Sequence, residues 1–254
     1  MRIVTWNVNS IRAHQERVLA WLTDFSPEVL CLQELKTEES GYPFKEIEAL
    51  GYQSAVFGQK TYNGVAIVSR LPMTDIRMGF DDGVEDPQAR LISANVQGVR
   101  VISVYVPNGG ELSSEKYVYK KAWLQRLRTY LDRHHNRDEP LAICGDFNIA
   151  PDAQDVQNLL NWDGSILYNP QMHAALDHVL DFGLRDAFRQ HRSEKGLYSW
   201  WDYRAGGFQR NDGLRIDHVF ATAPLVSIDA FVDRNERRGD KPSDHAPLGV
   251  VFAR

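Results

Sequence analysis

The chain finishes in the stretch PSDHAPLGVVFAR, in which an acid and an imidazole, Asp244 and His245, lie side by side in a turn between two prolines. Acids and histidines are common in exposed turns, so this pair predicts little by itself. Other polar side chains follow or end apolar runs elsewhere. They are Asn7 and Asn9 after RIVTW, Glu34 after LCLQ, Tyr105 and Asn108 after VISV, Asp146 and Asn148 after LAICG, and Asp217 in LRID. Because strand ends at one edge of a sandwich converge, we predict that all these residues form one cluster.

Asparagine, aspartate and glutamate side chains offer hard oxygen ligands to a metal. The two cysteines are isolated, and the sequence has no His-x-x-x-His or Cys-x-x-Cys spacing that would indicate zinc. The pattern therefore favours Mg²⁺ or Mn²⁺, which commonly bind phosphate oxygens. The chain has neither a Gly-x-x-x-x-Gly-Lys-Ser/Thr loop nor a Gly-x-Ser-x-Gly turn. We thus expect hydrolysis by metal-activated water rather than kinase or serine-hydrolase chemistry.

Composition limits the classes of protein that this chain can belong to. The 254 residues are 43% hydrophobic and 25% charged, which is enough apolar material for a large core. Because no linker, repeat or low-complexity tract divides the sequence, we expect a single domain over residues 1–254. A net charge of -5 and a pI near 5.9 argue against a protein that simply coats DNA. They do not argue against an enzyme that meets a polyanion through a local basic surface.

The start of the chain turns polar too soon for a signal sequence, and no apolar run approaches the length of a membrane span. We therefore expect a soluble, cytoplasmic protein with no membrane partner. Cys31 and Cys144 lie inside apolar runs and are expected to be buried, reduced thiols. A disulfide between them is disfavoured, but the sequence leaves it open.

Eight short apolar, β-branched runs predict the strands that must position the polar cluster. They are RIVTW, VLCLQE, GVAIVS, RLISANV, VRVISVYV, LAICGDF, RIDHVFA and PLGVVFA. Helical spacing of apolar residues predicts helices over residues 10–25 and 113–131, each behind serines suited to N-capping. A tight turn at Gln97-Gly98 predicts a hairpin and hence antiparallel pairing. We expect a mixed α/β sandwich, with two sheets face to face and helices outside.

Eight motifs occur in order along the chain: WNVNSIR, LQELK, NGVAIVSR, VYVPNG, GDFNIAP, SWWDYR, GLRIDHV and SDHAP. Over essentially the whole chain they resemble the exonuclease III family of abasic-site endonucleases, within the endonuclease/exonuclease/phosphatase superfamily. The resemblance implies a four-layer α/β sandwich and a metal-dependent DNA phosphodiester hydrolase of base excision repair. It implies incision 5′ to abasic sites, 3′-to-5′ exonuclease activity or 3′-end trimming, with Mg²⁺ or Mn²⁺ as cofactor. The implied partner is duplex DNA with abasic sites, nicks or blocked 3′ ends, and the implied enzyme is monomeric and acts at the nucleoid.

The same resemblance implies a role for each residue on the metal side of the cluster. Glu34 is the main metal ligand and Asn7 assists it, while Asn9 is either a further ligand or a polar cap. Asp146 orients or deprotonates the attacking water, and Asn148 donates to the phosphoryl oxygen as charge develops.

The remaining residues of the cluster face the phosphate. By the resemblance, the phenol of Tyr105 points at the phosphate or the leaving oxygen, and His245 donates to the phosphate. Asp217 fixes the tautomer of that imidazole and favours its charged form. Asp244 is a second carboxylate on the metal side or beside the water, and His218 is structural because it alternates to the other face of its strand. The predicted surroundings of the metal are thus Asn7, Glu34, Asp146, Asn148, Asp244 and His245.

The stretch YSWWDYRAGGFQRNDGLRID has the composition of a loop that stacks sugars or bases and touches phosphates. In the family, Trp200, Leu214 and Ile216 match an apolar pocket that receives the base-less deoxyribose; the alternative is that they are core. Candidate phosphate contacts in the same loop are Arg204, Arg210 and Asn211, with a solvated loop face as the alternative. Asn9 and Asn108 are further candidates for substrate binding. The lysines of the second helix, Lys116, Lys120 and Lys121, are expected on its solvent side.

One segment departs from the family pattern. Many relatives carry Pro-x-Glu-Arg before the helix that follows GDFNIAP, whereas Gln171, Met172 and His173 stand in the corresponding region here. The departure leaves the predicted metal site untouched but puts contacts to the DNA backbone in that region in doubt.

Two other classes of protein compete with a DNA nuclease. A small-molecule or lipid phosphatase of the same superfamily would share Glu34, Asp146, Asn148 and His245, but SWWDYR and Tyr105 favour DNA. A non-catalytic binding module would keep the fold, yet every acid of the constellation is retained. We therefore prefer the nuclease.

Overall fold

The computed structural model describes residues 1–253, which fold around two six-stranded β-sheets. In chain order the strands are β1 (Arg2–Asn7), β2 (Val29–Gln33), β3 (Gln53–Phe57), β4 (Val65–Ser69), β5 (Met73–Met78), β6 (Leu91–Val96), β7 (Val99–Tyr105), β8 (Leu141–Asp146), β9 (Leu184–Asp186), β10 (Asp217–Thr222), β11 (Ser227–Val232) and β12 (Leu248–Phe252). The first sheet has the order β11-β12-β1-β2-β4-β3 and the second has the order β5-β6-β7-β8-β10-β9. The pairs β1–β2 and β7–β8 are parallel, and the other neighbouring strands are antiparallel. The prediction of mixed sheets is confirmed.

The eight predicted strands are all present, as β1, β2, β4, β6, β7, β8, β10 and β12. The four strands that the sequence did not indicate are β3, β5, β9 and β11, and these are the outermost strands of the two sheets. An edge strand has a neighbour on one side only and can face water, so it needs no apolar run. Five of the six residues of β5, for example, are exposed.

Helices cover the outer faces of both sheets. They are α1 (Gln15–Phe25), α2 (Phe44–Ala49), α3 (Glu115–His134), α4 (Leu159–Trp162) and α5 (Pro170–Leu180). On the first sheet, Leu22 of α1 belongs to the same apolar cluster as Leu30 of β2. On the second sheet, Leu127 of α3 belongs to the same cluster as Ile143 of β8. The expected four-layer α/β sandwich is therefore confirmed.

The two predicted helices begin differently from one another. Ser114 caps α3, because its Oγ accepts a hydrogen bond from the backbone N–H of Tyr117 at 3.2 Å. The expected serine cap on the first helix is wrong, since α1 begins only at Gln15 and His14 precedes it. Asn9 and Ser10 have φ angles of 45° and 93°, so the backbone there is outside the helical region and forms a turn instead.

The hairpin predicted at Gln97-Gly98 is confirmed, with Val96 opposite Val99. Both turn residues have positive φ angles, 51° and 86°, as a two-residue hairpin of this type requires.

The inner faces of the two sheets meet in an apolar layer. Cys31 of β2 and Cys144 of β8 face each other across it, with their Sγ atoms 3.3 Å apart, and both are free thiols with no exposed surface. The prediction of buried, reduced cysteines is confirmed.

The lysines of α3 do not share one environment. Lys116 and Lys121 are exposed, as expected, but the prediction for Lys120 is wrong because its side chain is fully buried. Within residues 1–253, no helix is both long and apolar enough to span a membrane.

Candidate active site

Three neighbouring strands of the second sheet bring three predicted site residues into one row. Tyr105 of β7 lies opposite Asp146 of β8, and Asp146 lies opposite Asp217 of β10. Residues directly opposite one another across a sheet project to the same face, so all three side chains point toward the first sheet. The predicted convergence of strand ends is confirmed for these residues.

The first sheet contributes Asn7, at the end of β1, and Glu34, which directly follows β2. The Nδ2 of Asn7 donates to Glu34 Oε1 at 2.8 Å and to Asp146 Oδ2 at 2.9 Å. The amide of Asn7 thus joins a carboxylate of each sheet. Its Oδ1 accepts from the backbone N–H of Asn9, so the contact of Asn7 in this arrangement is to the acids, and its role as a metal ligand stays a prediction.

Glu34, Asp146 and His245 each offer an atom that can bind a metal, and these atoms all lie within 4.8 Å of one another. Burial by itself would raise the pKa of Glu34, but the Lys36 ammonium 2.9 Å away and the amide of Asn7 outweigh it and hold that pKa below its usual value. Glu34 is therefore ionised and offers carboxylate oxygens to a cation, and its role as the main metal ligand stays a prediction. The donor set fits a hard divalent cation.

His245 lies between two acids. Its Nδ1 is 2.8 Å from Asp217 Oδ2, and its Nε2 is 3.7 Å from Asp146 Oδ2. Burial disfavours the imidazolium, but Asp217 and Asp146 outweigh it and raise the pKa of His245 to about 10. A protonated imidazolium has no lone pair for a metal. The structure therefore favours the role of phosphate donor over that of metal ligand for this residue.

Asp146 is buried and accepts several hydrogen bonds. Its relative exposure is 1%, and burial raises its pKa to about 7 although the His245 cation opposes this. A carboxylate that titrates near neutral pH can accept the proton of a water molecule. The backbone N–H of Asn148 donates to Asp146 Oδ1 at 2.9 Å and fixes the plane of that carboxylate.

The amide of Asn148 is held on both sides. Its Oδ1 accepts from Asn108 Nδ2 at 3.0 Å, and its own Nδ2 donates to the carbonyl of Val106 at 3.0 Å and to Asp146 Oδ2 at 3.3 Å. Asn148 therefore contacts the Asp146 carboxylate directly. Its donation to a phosphoryl oxygen stays a prediction, as does substrate binding by Asn108.

Tyr105 is partly buried beside the acids. The carboxylates of Glu34 and Asp146 add to the effect of burial and raise the pKa of the phenol well above 10, so the hydroxyl keeps its proton. The guanidinium of Arg90 lies 4.6 Å from the centre of the ring and donates to the Tyr105 carbonyl at 3.0 Å. These contacts leave the phenol a hydrogen-bond donor with a fixed ring.

Asp244 lies next to the cluster but is engaged elsewhere. Its Oδ1 accepts from Asn9 Nδ2 and its Oδ2 accepts from Trp200 Nε1, both at 3.0 Å. Asn9 also accepts a hydrogen bond from Lys36 and donates to Tyr203. In this arrangement both residues link the site to the loop at 200–213, and their roles toward a metal stay predictions.

The residues of the predicted apolar slot lie side by side. Trp200 pairs with Leu214 and with His245 through isolated backbone bridges. Leu214 and Ile216 are buried, whereas Trp200 is half-buried and meets the edge of Trp162 at 5.6 Å between ring centres. Leu214 and Ile216 belong to a buried apolar cluster, and Trp200 packs against it and borders His245. Whether an abasic sugar enters the slot stays a prediction.

The polar residues of the same loop differ in exposure. The side chain of Arg204 is 88% exposed and pairs with Asp202, and that of Arg210 is 58% exposed. Asn211 is bound within the loop, since its Oδ1 accepts from Trp201 Nε1 and its Nδ2 donates to the carbonyl of Gly196. Both arginines pair with acids of the loop, so phosphate binding by Arg204 and Arg210 stays a prediction, as does a substrate contact by Asn211.

The segment that departs from the family pattern forms the first turn of α5. Gln171 is exposed, Met172 is buried, and the Nε2 of His173 lies 3.1 Å from the carbonyl of Ala150. His218 is buried as expected, with Nδ1 bound by Arg215 and Nε2 bound to the carbonyl of Ile149. The arginine donates to Nδ1, so this imidazole is neutral and carries its proton on Nε2.

Sequence reasoning missed several residues that position the site. The Oγ of Ser243 donates to the carbonyl of Asn7 at 2.7 Å, and that of Ser199 accepts from the backbone N–H of Asp217 at 3.1 Å. Lys36 pairs with Glu34. All three lie inside the motifs SDHAP, SWWDYR and LQELK. Their position in the sequence beside the predicted catalytic residues could have indicated that they support the site.

The fold and the site together define a phosphoester hydrolase, with Glu34, Asp146 and His245 as its candidate site for a divalent metal. Residues 4–245 match the Endonuclease/Exonuclease/phosphatase family, and the chain belongs to this family. It is 34% identical to exodeoxyribonuclease III of Haemophilus influenzae over 266 aligned positions, which cover 99% of this chain and 100% of that protein.

Two solved structures superpose on the whole chain. The 3′ phosphatase NExo from Neisseria, bound to a product DNA hairpin, has a TM-score of 0.96 at 39% identity, and an AP endonuclease from Archaeoglobus fulgidus has a TM-score of 0.96 at 36% identity. Both comparisons cover 100% of each chain. The resemblance to the exonuclease III family is confirmed, and these relatives favour a DNA repair nuclease over a small-molecule or lipid phosphatase.

Proposed function

We propose that this chain hydrolyses phosphodiester bonds of duplex DNA at abasic sites and at 3′ termini, with Mg²⁺ or Mn²⁺ as cofactor. The observation that carries the proposal is the meeting of Glu34, Asp146 and His245 at one edge of both sheets, with Asp217 hydrogen-bonded behind the imidazole. Carboxylates for a metal, a buried base and a fixed cation are what hydrolysis of a phosphate ester by water requires.

The metal would be held by Glu34, with Asn7 beside it. When bound, such a cation neutralises charge on the phosphate and on the leaving oxygen. The side chains of the protein carry out the proton transfer and stabilise the developing charge. Asp146 takes the proton of the attacking water, and the His245 imidazolium donates to a non-bridging oxygen, where negative charge grows in the transition state. The protonated phenol of Tyr105 lies in the same row and donates to the phosphate or the leaving oxygen.

Substrate selection would depend on the loop at 200–213. The half-buried Trp200, backed by the buried Leu214 and Ile216 and next to His245, would present an apolar surface that suits a flipped sugar without a base better than an intact nucleotide. The exposed Arg204 lies on the same loop and would meet a phosphate of the backbone.

The test uses end-labelled duplexes that are intact, nicked or carry one abasic analogue, incubated with Mg²⁺ and analysed by product length. We expect cleavage 5′ to the analogue and shortening or dephosphorylation from 3′ ends. Inositol polyphosphate and sphingomyelin serve as comparison substrates. Turnover of either of these with no cleavage of any duplex would contradict the proposal and restore the phosphatase alternative.

A further inference from the structure

Lys120 of α3 is a buried lysine that the proposed reaction does not use. Its side chain has no exposed surface. The Nζ donates to three backbone carbonyls, those of Asn148 at 2.7 Å, Ile166 at 2.8 Å and Asn108 at 3.1 Å. An ammonium group has three N–H donors, so these carbonyls satisfy all of them.

The three carbonyls belong to three separate segments around the active site. Asn108 follows β7, Asn148 follows β8, and Ile166 lies between α4 and α5. The side chains of the first two are themselves hydrogen-bonded at 3.0 Å, so Lys120 holds the main chain on both sides of that amide pair. Gly109 passes over the lysine so closely that an added Cβ would lie 3.1 Å from Lys120 Cδ, and its φ of 100° favours glycine.

The contact between Lys120 and Asn148 also affects Asp146, the proposed general base. The carbonyl of Asn148 accepts from Lys120, and the backbone N–H of the same residue donates to Asp146 Oδ1 at 2.9 Å. A shift of the Asn148 main chain would therefore turn the Asp146 carboxylate away from the attacking water. Displacements of this kind, of about 1 Å, can cost on the order of 100-fold in rate.

Burying this ammonium is unfavourable for the fold. Removal from water lowers the pKa of Lys120 to about 7, against the attraction of Asp146. A methionine would fill a similar volume without that penalty. The three carbonyls that Lys120 binds explain a lysine in this position better than core packing does.

We propose that Lys120 is a positioning residue, which fixes the main chain of Asn108 and Asn148 and thereby orients the Asp146 carboxylate. This inference rests on the proposed function. The two fail separately: if the wild-type protein cleaves no DNA, the proposed function fails, whereas the role of Lys120 is judged by its variants relative to an active wild type.

The experiment compares Lys120→Met with Lys121→Met, which removes the exposed neighbouring lysine of the same helix. We measure kcat and KM on an abasic duplex, the midpoint of Mg²⁺ activation, and the ¹H–¹⁵N shift of the Asn148 backbone amide. For Lys120→Met we expect kcat to fall about 10- to 100-fold, KM and the Mg²⁺ midpoint to change less than about threefold, and the Asn148 amide to move upfield as its bond to Asp146 weakens. Lys121→Met should match the wild type in all of these quantities.

Several results would overturn the proposal. These are a folded Lys120→Met protein with kcat within about twofold of wild type, a change confined to KM, or a fall in kcat with an unmoved Asn148 amide. Lys120→Gln, which keeps two N–H donors, should retain more activity than Lys120→Met. If both variants fail to fold, Lys120 is a structural residue and the proposal is also wrong.

Discussion

Asp217 and His245 form a buried pair in which Oδ2 of the acid accepts from Nδ1 of the imidazole at 2.8 Å. The acid comes from β10 of the second sheet, and the histidine precedes β12 of the first. The pair therefore ties the two sheets together at the active-site edge, and it leaves Nε2 of the imidazole directed toward Asp146.

The first prediction concerns this pair. In Asp217→Asn the imidazole loses the charge that most favours its protonated form, so the pKa of His245 should fall from about 10 by about two units or more. NMR titration of the His245 ring nitrogens measures this change. At neutral pH kcat should fall by roughly 100-fold or more, since the imidazole loses the acid that fixes its orientation and favours its charged form. A His245 pKa that stays near that of the wild type would contradict the assignment.

The second prediction is a pH dependence of stability in the metal-free protein. The pKa of His245 is raised from 6.5 to about 10 in the folded state, so its stabilising effect is complete below about pH 6.5 and is lost as the pH rises toward 10. Asp146, whose pKa is raised to about 7, acts in the same direction at lower pH, because the folded state binds its proton more tightly. The difference in Tm between wild type and Asp217→Asn should therefore be largest near pH 6 and shrink toward pH 10. A difference that grows with pH would show that the sign is wrong.

The third prediction separates chemistry from binding. Asp146→Asn and His245→Asn should each lower kcat by roughly 1000-fold or more, while the Kd for a DNA duplex changes less than about fivefold, since both roles belong to the transition state. Single-turnover rates and fluorescence anisotropy measure the two quantities. Near wild-type cleavage by either variant would mean that its residue was misassigned.

The fourth prediction concerns the metal. Excess chelator should abolish activity and Mg²⁺ or Mn²⁺ should restore it, because the cluster offers oxygen ligands. Glu34→Gln removes a charge from the ligand set and should raise the Mg²⁺ concentration needed for half-maximal activity by about 10-fold or more, with little change in DNA affinity. Full activity in chelator, or an unchanged Mg²⁺ titration in the variant, would argue against the metal mechanism.

The fifth prediction tests the apolar slot. Trp200→Ala combined with Leu214→Ala should reduce the ratio of cleavage rates between abasic and intact duplexes, because an enlarged slot admits a base. Leu214 is buried, so the variant should also lose about 2–5 kcal/mol of stability. Leu225→Ala, a buried leucine beyond the far end of β10, is the control for that loss and should keep the ratio. An unchanged ratio in the folded double variant would make 3′-end processing the preferred main activity.

The sequence by itself determined the inner strands and most of the polar cluster at the candidate active site. A strand with neighbours on both sides and packed faces needs an apolar run, and each of the eight such runs became a strand between two others. Strand ends carry the chemistry, so Glu34, Asp146 and Asp217 could be assigned from their places after or within those runs together with the ordered motifs. The edge strands had no such signal because water covers part of their surface.

The tertiary structure decided what each polar residue touches. The sequence pattern predicts Lys120 on the solvent side of its helix. Three loops instead cover that position, and their carbonyls accept the hydrogen bonds that compensate for burying the amino group. Asp244 is a neighbour of His245 in sequence, yet it bonds to Asn9 and Trp200 instead of joining the cluster of Glu34, Asp146 and His245. These contacts join residues far apart along the chain, and no local pattern reports them because they depend on how the two sheets and the loops above them pack.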